Sequence, residues 1–205
     1  MEKHEIRSFH STGLELRKEG DSPGRLVGIA VPFGKRSEDL GGWVEQFQQG
    51  AFGDGIGRDN DAKALIGHDD RLIALGSYRA GTLILKEEKQ GLSYDLDLPD
   101  TTAGRDLAVS VERGDVGGVS IGFRVREQGA MWEEEDDDVL VRTVISANLF
   151  EMSFVNFPAY VDTSIAQRSF LQWRGTMVRS ELAEQTTAQA ARLQRAQLQL
   201  RGISV

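Results

Sequence analysis

Residues 113–123, RGDVGGVSIGF, decide the fold of this chain because they lead from its clearest helix into a glycine-rich strand. The helix is predicted over Thr101–Arg113, with Asp100 or Thr101 as its N-cap and Gly114 as its C-terminal stop. The strand follows directly as GGVSIGF. The RGD tripeptide carries no weight as an adhesion motif, since nothing else in the chain indicates an extracellular ligand.

Outward from this stretch, most of the chain consists of short apolar runs separated by glycine and charge. Leu92–Leu98 alternates Leu and Tyr with Ser and Asp, a period of two that predicts a strand with one buried face. Together with Thr82–Leu85, across a Lys-Gln-Gly turn, it predicts a hairpin. Further runs cover 26–33, 119–125, 139–145 and 149–155. The predicted fold class is therefore α+β, mostly β.

Composition limits the classes of protein to which the chain can belong. With 205 residues, 40% of them apolar, it has enough material for one domain and an appendage. A net charge of −8 argues against a protein that coats nucleic acid. Cysteine is absent, which removes disulfides and thiolate nucleophiles. The start, MEKHEIRSFH, lacks the apolar core of a signal peptide, so a soluble, cytoplasmic protein without membrane contact is expected.

Two segments differ from the rest. The acidic run EEEDDD at 133–138 predicts a solvated hairpin loop, with contact to a metal or a basic partner as the alternative. From Arg168 onward the sequence contains six Arg and two Glu, so this tail carries a net charge of +4 and the preceding residues carry −12. The predicted organisation is thus a domain over 1–167 and a basic, Gln/Ala-rich tail over 168–205, helical or flexible, with too irregular an apolar face for a coiled coil.

Histidine is scarce, which narrows the search for a catalytic base. His4 and His10 lie near the N-terminus, whereas His68 follows the apolar run 64–66 where a polar turn begins. Functional groups favour such positions, although a lone histidine is also a common structural residue. A metal site made with Asp69 and Asp70 is the weaker alternative, because adjacent residues in a turn rarely converge on one ion.

Ser120 and Glu151 complete the set of candidates. Ser120 is either a solvent-facing strand residue or a nucleophile whose neighbouring glycines give a substrate and an oxyanion room to approach. Its surroundings do not match the GxSxG elbow, which disfavours an α/β-hydrolase. Glu151 is a lone acid in an apolar strand, so it either faces water or has a specific partner such as a histidine N–H. A Ser–His–acid set would perform acyl transfer.

Blocks of sequence in a fixed order support this hypothesis through a family resemblance. From about Glu5 to Ser164 the chain resembles the prohead proteases of tailed bacteriophages, whose fold is related to that of the herpesvirus assemblins. The matching blocks are GIAVPF at 28–33, EQFQQGAF at 45–52, LIGHD at 65–69, GTLIL at 81–85, GL at 91–92, LPDT at 98–101, GRD at 104–106, RGDV at 113–116, VSIGF at 119–123 and LFEMSFVNFPAY at 149–160.

The resemblance implies a serine endopeptidase on an assemblin-like β-barrel with flanking helices, here with a C-terminal helical tail. By motif position, Ser120 would be the nucleophile, His68 the general base and Glu151 the third member, unless Asp69 or another carboxylate orients the base. The sequence departs from the family pattern where Ile121 replaces a Phe and where Gly67 replaces an Asn. No cofactor and no metal are expected.

The same resemblance implies where the enzyme acts and which proteins it cuts. The enzyme would act inside an assembling procapsid in the host bacterial cytoplasm, and it would cut the scaffold or the major capsid protein and usually itself by autoproteolysis. A homo-oligomer is possible under this reading. The rival hypotheses are a catalytically inactive assembly or scaffold protein of the same fold and a metal-dependent hydrolase built on His68. The tail is either an assembly or targeting segment, which self-cleavage could remove, or a surface helix or dimer contact.

Overall fold

The structure, a computed structural model, describes residues 4–10, 12–18, 20–56, 61–135 and 139–156, together with Gly175 and Arg179. The strands are β1 (Glu5–His10), β2 (Thr12–Arg17), β3 (Arg25–Pro32), β4 (Val44–Phe47), β5 (Lys63–Ile66), β6 (Gly76–Ser77), β7 (Leu83–Glu88), β8 (Gly91–Asp97), β9 (Gly118–Val125), β10 (Ala130–Glu135), β11 (Val139–Val144) and β12 (Ala147–Val155). Helix α1 covers Thr102–Arg113, and a 3-10 turn covers Gly53–Gly55.

These strands form three sheets. The largest has the order β1-β9-β12-β5-β6, with β12 and β5 parallel and the other pairs antiparallel. A second, antiparallel sheet has the order β2-β3-β8-β7, and a third has the order β10-β11-β4. The mostly-β prediction is confirmed. The predicted hairpin is confirmed as well, since β7 and β8 pair from Leu83↔Leu96 to Glu88↔Gly91.

The opening stretch of the sequence forms the end of α1 and most of β9, as predicted. Thr101 caps the helix by accepting a hydrogen bond from the Gly104 N–H, and Gly114 ends it in the left-handed region at φ 79°. Every residue of β9 from Gly118 to Phe123 is buried. Because β9 lies inside its sheet and both of its faces are covered, it lacks the alternation of a half-exposed strand.

The predicted β-barrel is not found among the described residues. The five-stranded sheet ends at β1 and β6, which do not pair with each other, so the sheet stays open. β1 belongs to the five-stranded sheet and β2 to the second sheet, so the chain changes sheet between these two strands. Gly13, at φ 73°, and a register shift between Thr12 and Glu15 interrupt the ladder at this corner.

The remaining fold predictions have mixed outcomes. In the described part of the chain, α1 and the 3-10 turn are the helical segments of the body, fewer than the flanking helices expected. The acidic run is not simply a loop, because Glu133–Glu135 extend β10, while 136–138 lie outside the described residues.

The predicted boundary after 167 and the tail 168–205 lie outside the described residues, apart from Gly175 and Arg179, and stay predictions. None of the described helical segments has the length and apolarity to cross a bilayer.

A buried cluster of four charged side chains connects two of the sheets. Arg7 on β1 donates to Glu45 on β4 at 2.7 Å and to Glu5 at 3.0 Å. Arg142 on β11 donates to the same two carboxylates, at 2.6 Å to Glu5 and 2.8 Å to Glu45. All four residues are at most 5% exposed. Since two positive and two negative charges meet, the cluster is neutral and its hydrogen-bonding needs are largely met internally.

Aromatic rings enclose this ion cluster. The Arg142 guanidinium lies 5.7 Å from the Trp132 ring centre and 5.9 Å from that of Trp43, and Arg7 lies 5.6 Å from that of Phe123. Burial among these groups raises the pKa of the Glu45 carboxyl, although Arg7 and Arg142 act in the opposite direction. The ion cluster thus holds β1 against the third sheet from inside the protein.

Arg142→Met tests this connection. The substitution leaves two buried carboxylates with one cation, so the free energy of unfolding should fall by about 3–5 kcal/mol. Equilibrium unfolding in urea measures the change. Lys18→Met is the matched control, because it breaks the exposed Lys18–Glu112 pair, whose atoms are also 2.7 Å apart. An equally small loss in both variants would contradict a stabilising role for the ion cluster.

Candidate active site

Ser120 lies in the middle of β9, between β1 and β12, with Ser8 opposite it on one side and Ser153 on the other. It is 0% exposed. Its Oγ is 2.7 Å from Nε2 of His68, 3.0 Å from the Ser8 Oγ and 3.1 Å from the carbonyl oxygen of Arg7. A hydroxyl has one proton to donate, so Ser120 donates either to His68 or to Arg7, while Ser8 donates to it.

His68 follows β5 in a tight turn, as the sequence predicted. Gly67 and His68 have φ values of 61° and 62°, and for a residue with a side chain this left-handed conformation costs about 1–3 kcal/mol. Three hydrogen bonds hold the turn. The Gly67 N–H donates to the Phe154 carbonyl at 3.0 Å, and the Asp69 N–H donates to the Ile66 carbonyl at 3.2 Å. The His68 N–H donates to the Ser153 Oγ on β12 at 3.1 Å.

Glu151 reaches the histidine because β12 contains a bulge. The register passes from Leu149↔Phe123 to Glu151↔Gly122, so Phe150 is the extra residue and Glu151 lies opposite Gly122. A Cβ at Gly122 would come within 2.6 Å of the Glu151 Oε1, so glycine provides the space for this carboxylate. Oε1 then lies 2.5 Å from Nδ1 of His68. The lone acid of the apolar strand therefore has a histidine partner, one of the two alternatives that the sequence left open.

The three predicted residues are thus brought into one hydrogen-bonded line, from the Ser120 hydroxyl through both nitrogens of His68 to Glu151. Asp69, the alternative acid, is directed elsewhere: it accepts from Arg71 at 2.8 and 2.9 Å, and these hydrogen bonds hold the pKa of its carboxyl below the usual value. His68 and Asp70 line a cavity that Ser120 does not reach. Among the described residues, no group of three His, Asp or Glu side chains is arranged to hold a metal ion.

The open space of the site lies beside His68 and not above Ser120. A cavity of about 490 Å³ lies next to His68, and its polar lining residues are His4, Lys63, His68, Asp70 and Glu151. Lys63 donates to Asp61 at 2.6 Å, and this hydrogen bond lowers the pKa of the Asp61 carboxyl. The imidazole of His68 is thus reached from the cavity, whereas the Ser120 hydroxyl is covered.

Three features of the site were missed in the interpretation of the sequence. Gly122 was interpreted as clearance for a substrate, but its missing side chain makes room for Glu151. Ser153 contacts both Glu151 and His68, and its position two residues after the acid, on the same face of the strand, was the available signal. Ser8, on the edge strand β1, was not among the candidate residues although its hydroxyl donates to Ser120.

Comparison with known proteins gives one family match. A family model described as caudovirus prohead serine protease, Peptidase_S78, matches residues 12–175. Among solved structures, that of the bacteriophage T4 capsid assembly protease, gp21, is similar with a TM-score of 0.49 and 11% identity, over 75% of this chain and 97% of that chain. No curated protein sequence matches the chain.

Gly122→Ala tests the space required by the acid. The added methyl group would force the Glu151 carboxylate away from His68, so we expect the stability to fall by about 1–3 kcal/mol and the hydrogen-bonded Nδ1–H signal of His68 to move. Urea unfolding and proton NMR measure the two effects. Gly117→Ala is the matched control, since a Cβ there meets nothing within 4 Å. An unshifted His68 signal in Gly122→Ala would contradict the assignment.

Proposed function

Because this chain belongs to the caudovirus prohead serine protease family, we propose that it is an active serine endopeptidase with Ser120 as nucleophile, His68 as general base and Glu151 as the third member. One observation carries the proposal: Nε2 of His68 is 2.7 Å from the Ser120 Oγ while Nδ1 is 2.5 Å from the Glu151 Oε1. One imidazole therefore connects a hydroxyl and a carboxylate within the distances that proton transfer requires.

Under this proposal each group has one step in the reaction. Ser120 attacks the peptide carbonyl as Nε2 takes its proton, which gives a tetrahedral intermediate and an imidazolium. Glu151 holds the Nδ1–H tautomer beforehand and stabilises the imidazolium afterwards. The imidazolium then protonates the leaving amine, and the C–N bond breaks to leave an acyl-serine. Water, deprotonated by Nε2, releases the acid and returns the proton to Ser120.

Access to the nucleophile requires a movement of β1. In the described structure the Ser8 hydroxyl and the Arg7 carbonyl lie against the Ser120 Oγ, which is fully buried. A peptide carbonyl reaches Oγ only after these groups give way. Under the proposal this is the resting form of a protease that stays inactive until it is enclosed with its substrates.

The surface near the base suits a peptide substrate. The loop that carries His68 continues into Leu72 and Ile73, which are 59% and 95% exposed. Both side chains line a groove of about 390 Å³ that also includes Ile66. Apolar surface at a site of peptide hydrolysis supplies binding energy for side chains next to the scissile bond.

The substrates follow from the family. We propose that the enzyme cuts scaffold or major capsid protein inside the procapsid, in the host bacterial cytoplasm, and also cuts itself. Its basic tail from Arg168 would be an assembly segment attached to an acidic body. The second candidate function is a catalytically inactive assembly protein of the same fold, which the complete burial of Ser120 favours.

Ser120→Ala distinguishes the two functions. Co-expression with the capsid and scaffold proteins of the same phage should give processed products with the wild-type chain and none with Ser120→Ala, because loss of the nucleophile lowers turnover on the order of 10⁶-fold. Mass spectrometry and N-terminal sequencing of the products measure this.

The control for this experiment is Ser93→Ala. Ser93 lies on β8 of another sheet, where its hydroxyl contacts the Lys86 carbonyl and Glu88, so its loss should leave processing intact. Processing that continues in Ser120→Ala would contradict the serine mechanism. If neither the wild-type chain nor Ser120→Ala gives processed products, the inactive assembly protein is favoured. Inhibition by EDTA would indicate the metal-dependent alternative.

Glu151→Gln tests the third member separately from the nucleophile. The amide keeps the shape of the side chain but cannot stabilise the imidazolium, and its NH2 group favours the wrong tautomer of His68. We expect turnover to fall by about 10⁴-fold with the serine still in place. The rate of product formation in a purified system measures this loss. Glu134→Gln, on the exposed face of β10, should retain the full rate; equal rates in both variants would exclude Glu151 from the mechanism.

A further inference from the structure

Ser153 is a fully buried serine beside the three residues just described. It lies on β12, opposite Ser120 on β9 and opposite Leu65 on β5, and it is 0% exposed. Because side chains alternate along a strand, Ser153 and Glu151 point to the same face of the sheet. A polar side chain in such a position needs hydrogen-bond partners, since burying it without them is costly.

The Ser153 hydroxyl has two partners, and both belong to the candidate triad. It donates to the Glu151 Oε2 at 2.7 Å and accepts from the His68 backbone N–H at 3.1 Å. Its single proton is thus committed to the carboxylate, and the lone pairs receive the amide. Each oxygen of Glu151 then has its own partner, His68 for Oε1 and Ser153 for Oε2.

We propose that Ser153 is a positioning residue for the base, an inference that rests on the proposed function. Its hydroxyl fixes the rotation of the Glu151 carboxylate, so that Oε1 stays aligned with Nδ1 of His68. The same hydroxyl fixes the backbone of the turn on which the imidazole is mounted. One buried group therefore sets the position of the acid relative to the base at both ends of their hydrogen bond.

The conformation of His68 explains why such support is needed. A histidine at φ 62° lies in a region that non-glycine residues seldom occupy, and the turn stays there only because its surroundings determine it. The hydrogen bond from the His68 N–H to Ser153 is one of those determinants. If it is lost, the turn is free to relax and carry Nε2 away from the serine.

Ser153 is not a second nucleophile in this arrangement. Both ring nitrogens of His68 are already used, Nε2 by Ser120 and Nδ1 by Glu151. The group that receives the Ser153 proton is a carboxylate, which is a much weaker base than imidazole. Its role is to hold the base and the acid in place and not to react.

The experiment compares Ser153→Ala with Ser153→Thr in a purified peptide-cleavage assay. Misplacement of the base by a fraction of an ångström to 1 Å lowers turnover by up to about 10²-fold, so kcat of Ser153→Ala should fall roughly 10- to 100-fold. KM should stay unchanged, because Ser153 is buried and does not touch substrate. Ser153→Thr keeps the hydroxyl and should recover most of the lost kcat; an unchanged kcat in the Ala variant would overturn the proposal.

A spectroscopic readout separates this inference from the proposed function. In a Ser120→Ala background, which removes turnover, adding Ser153→Ala should shift or broaden the downfield Nδ1–H proton signal of His68. An unmoved signal overturns the positioning role whatever the activity data show. Processing that survives Ser120→Ala instead refutes the serine mechanism, and the signal still reports on Ser153.

The stability of each variant is measured as a control in the same series. Urea unfolding of each variant shows whether a loss of kcat reflects a loss of native protein, and such a loss without a change in the His68 signal counts against the proposal. If Ser153→Ala does not fold, Ser153→Cys takes its place, since it preserves the volume and weakens the donor. Wild-type kcat in a folded Ser153→Cys variant would also overturn the proposal.

Discussion

The carboxylate of Glu151 is the group on which the candidate site depends. A charge inside an apolar strand is tolerated only if hydrogen bonds replace the water that it loses. Here three features of the fold provide for it: the bulge that brings Glu151 opposite Gly122, the absence of a side chain at Gly122, and donors on both oxygens. The need to satisfy one acid thereby determines where the histidine turn must lie.

A second set of buried charges holds the strand that covers Ser120. Arg7 contributes to both regions: its guanidinium pairs with Glu45, while its backbone carbonyl lies 3.1 Å from the Ser120 Oγ. The ion cluster is neutral and enclosed by aromatic rings, so breaking it would expose unpaired charges. Because the ion cluster holds β1, and β1 lies beside Ser120 with its Arg7 carbonyl and Ser8 hydroxyl against Oγ, the stability of β1 and the accessibility of Ser120 are connected.

Local sequence signals predicted α1 and the β7–β8 hairpin and singled out His68, Ser120 and Glu151 as candidates, whereas the role of each candidate came from the family resemblance. The caps of α1 and the β7–β8 hairpin depend on neighbouring residues, which is why their positions were found. The open sheets were not predicted, because strand pairing is a matter of distant residues; β4, for example, joins β11 in parallel. The bulge at Phe150, which brings Glu151 opposite Gly122, was not predicted either, because it depends on the pairing of β12 with β9.

Under the proposed mechanism, the single proton of the Ser120 hydroxyl makes the resting and reactive forms mutually exclusive. When it is donated to the Arg7 carbonyl, Nε2 of His68 has nothing to abstract; when it is donated to Nε2, the oxygen is prepared for attack. Displacement of β1 removes the Arg7 acceptor and the Ser8 donor together. The same movement that opens a path for a peptide carbonyl therefore also directs the proton to the base, so access and activation are expected to occur in one step.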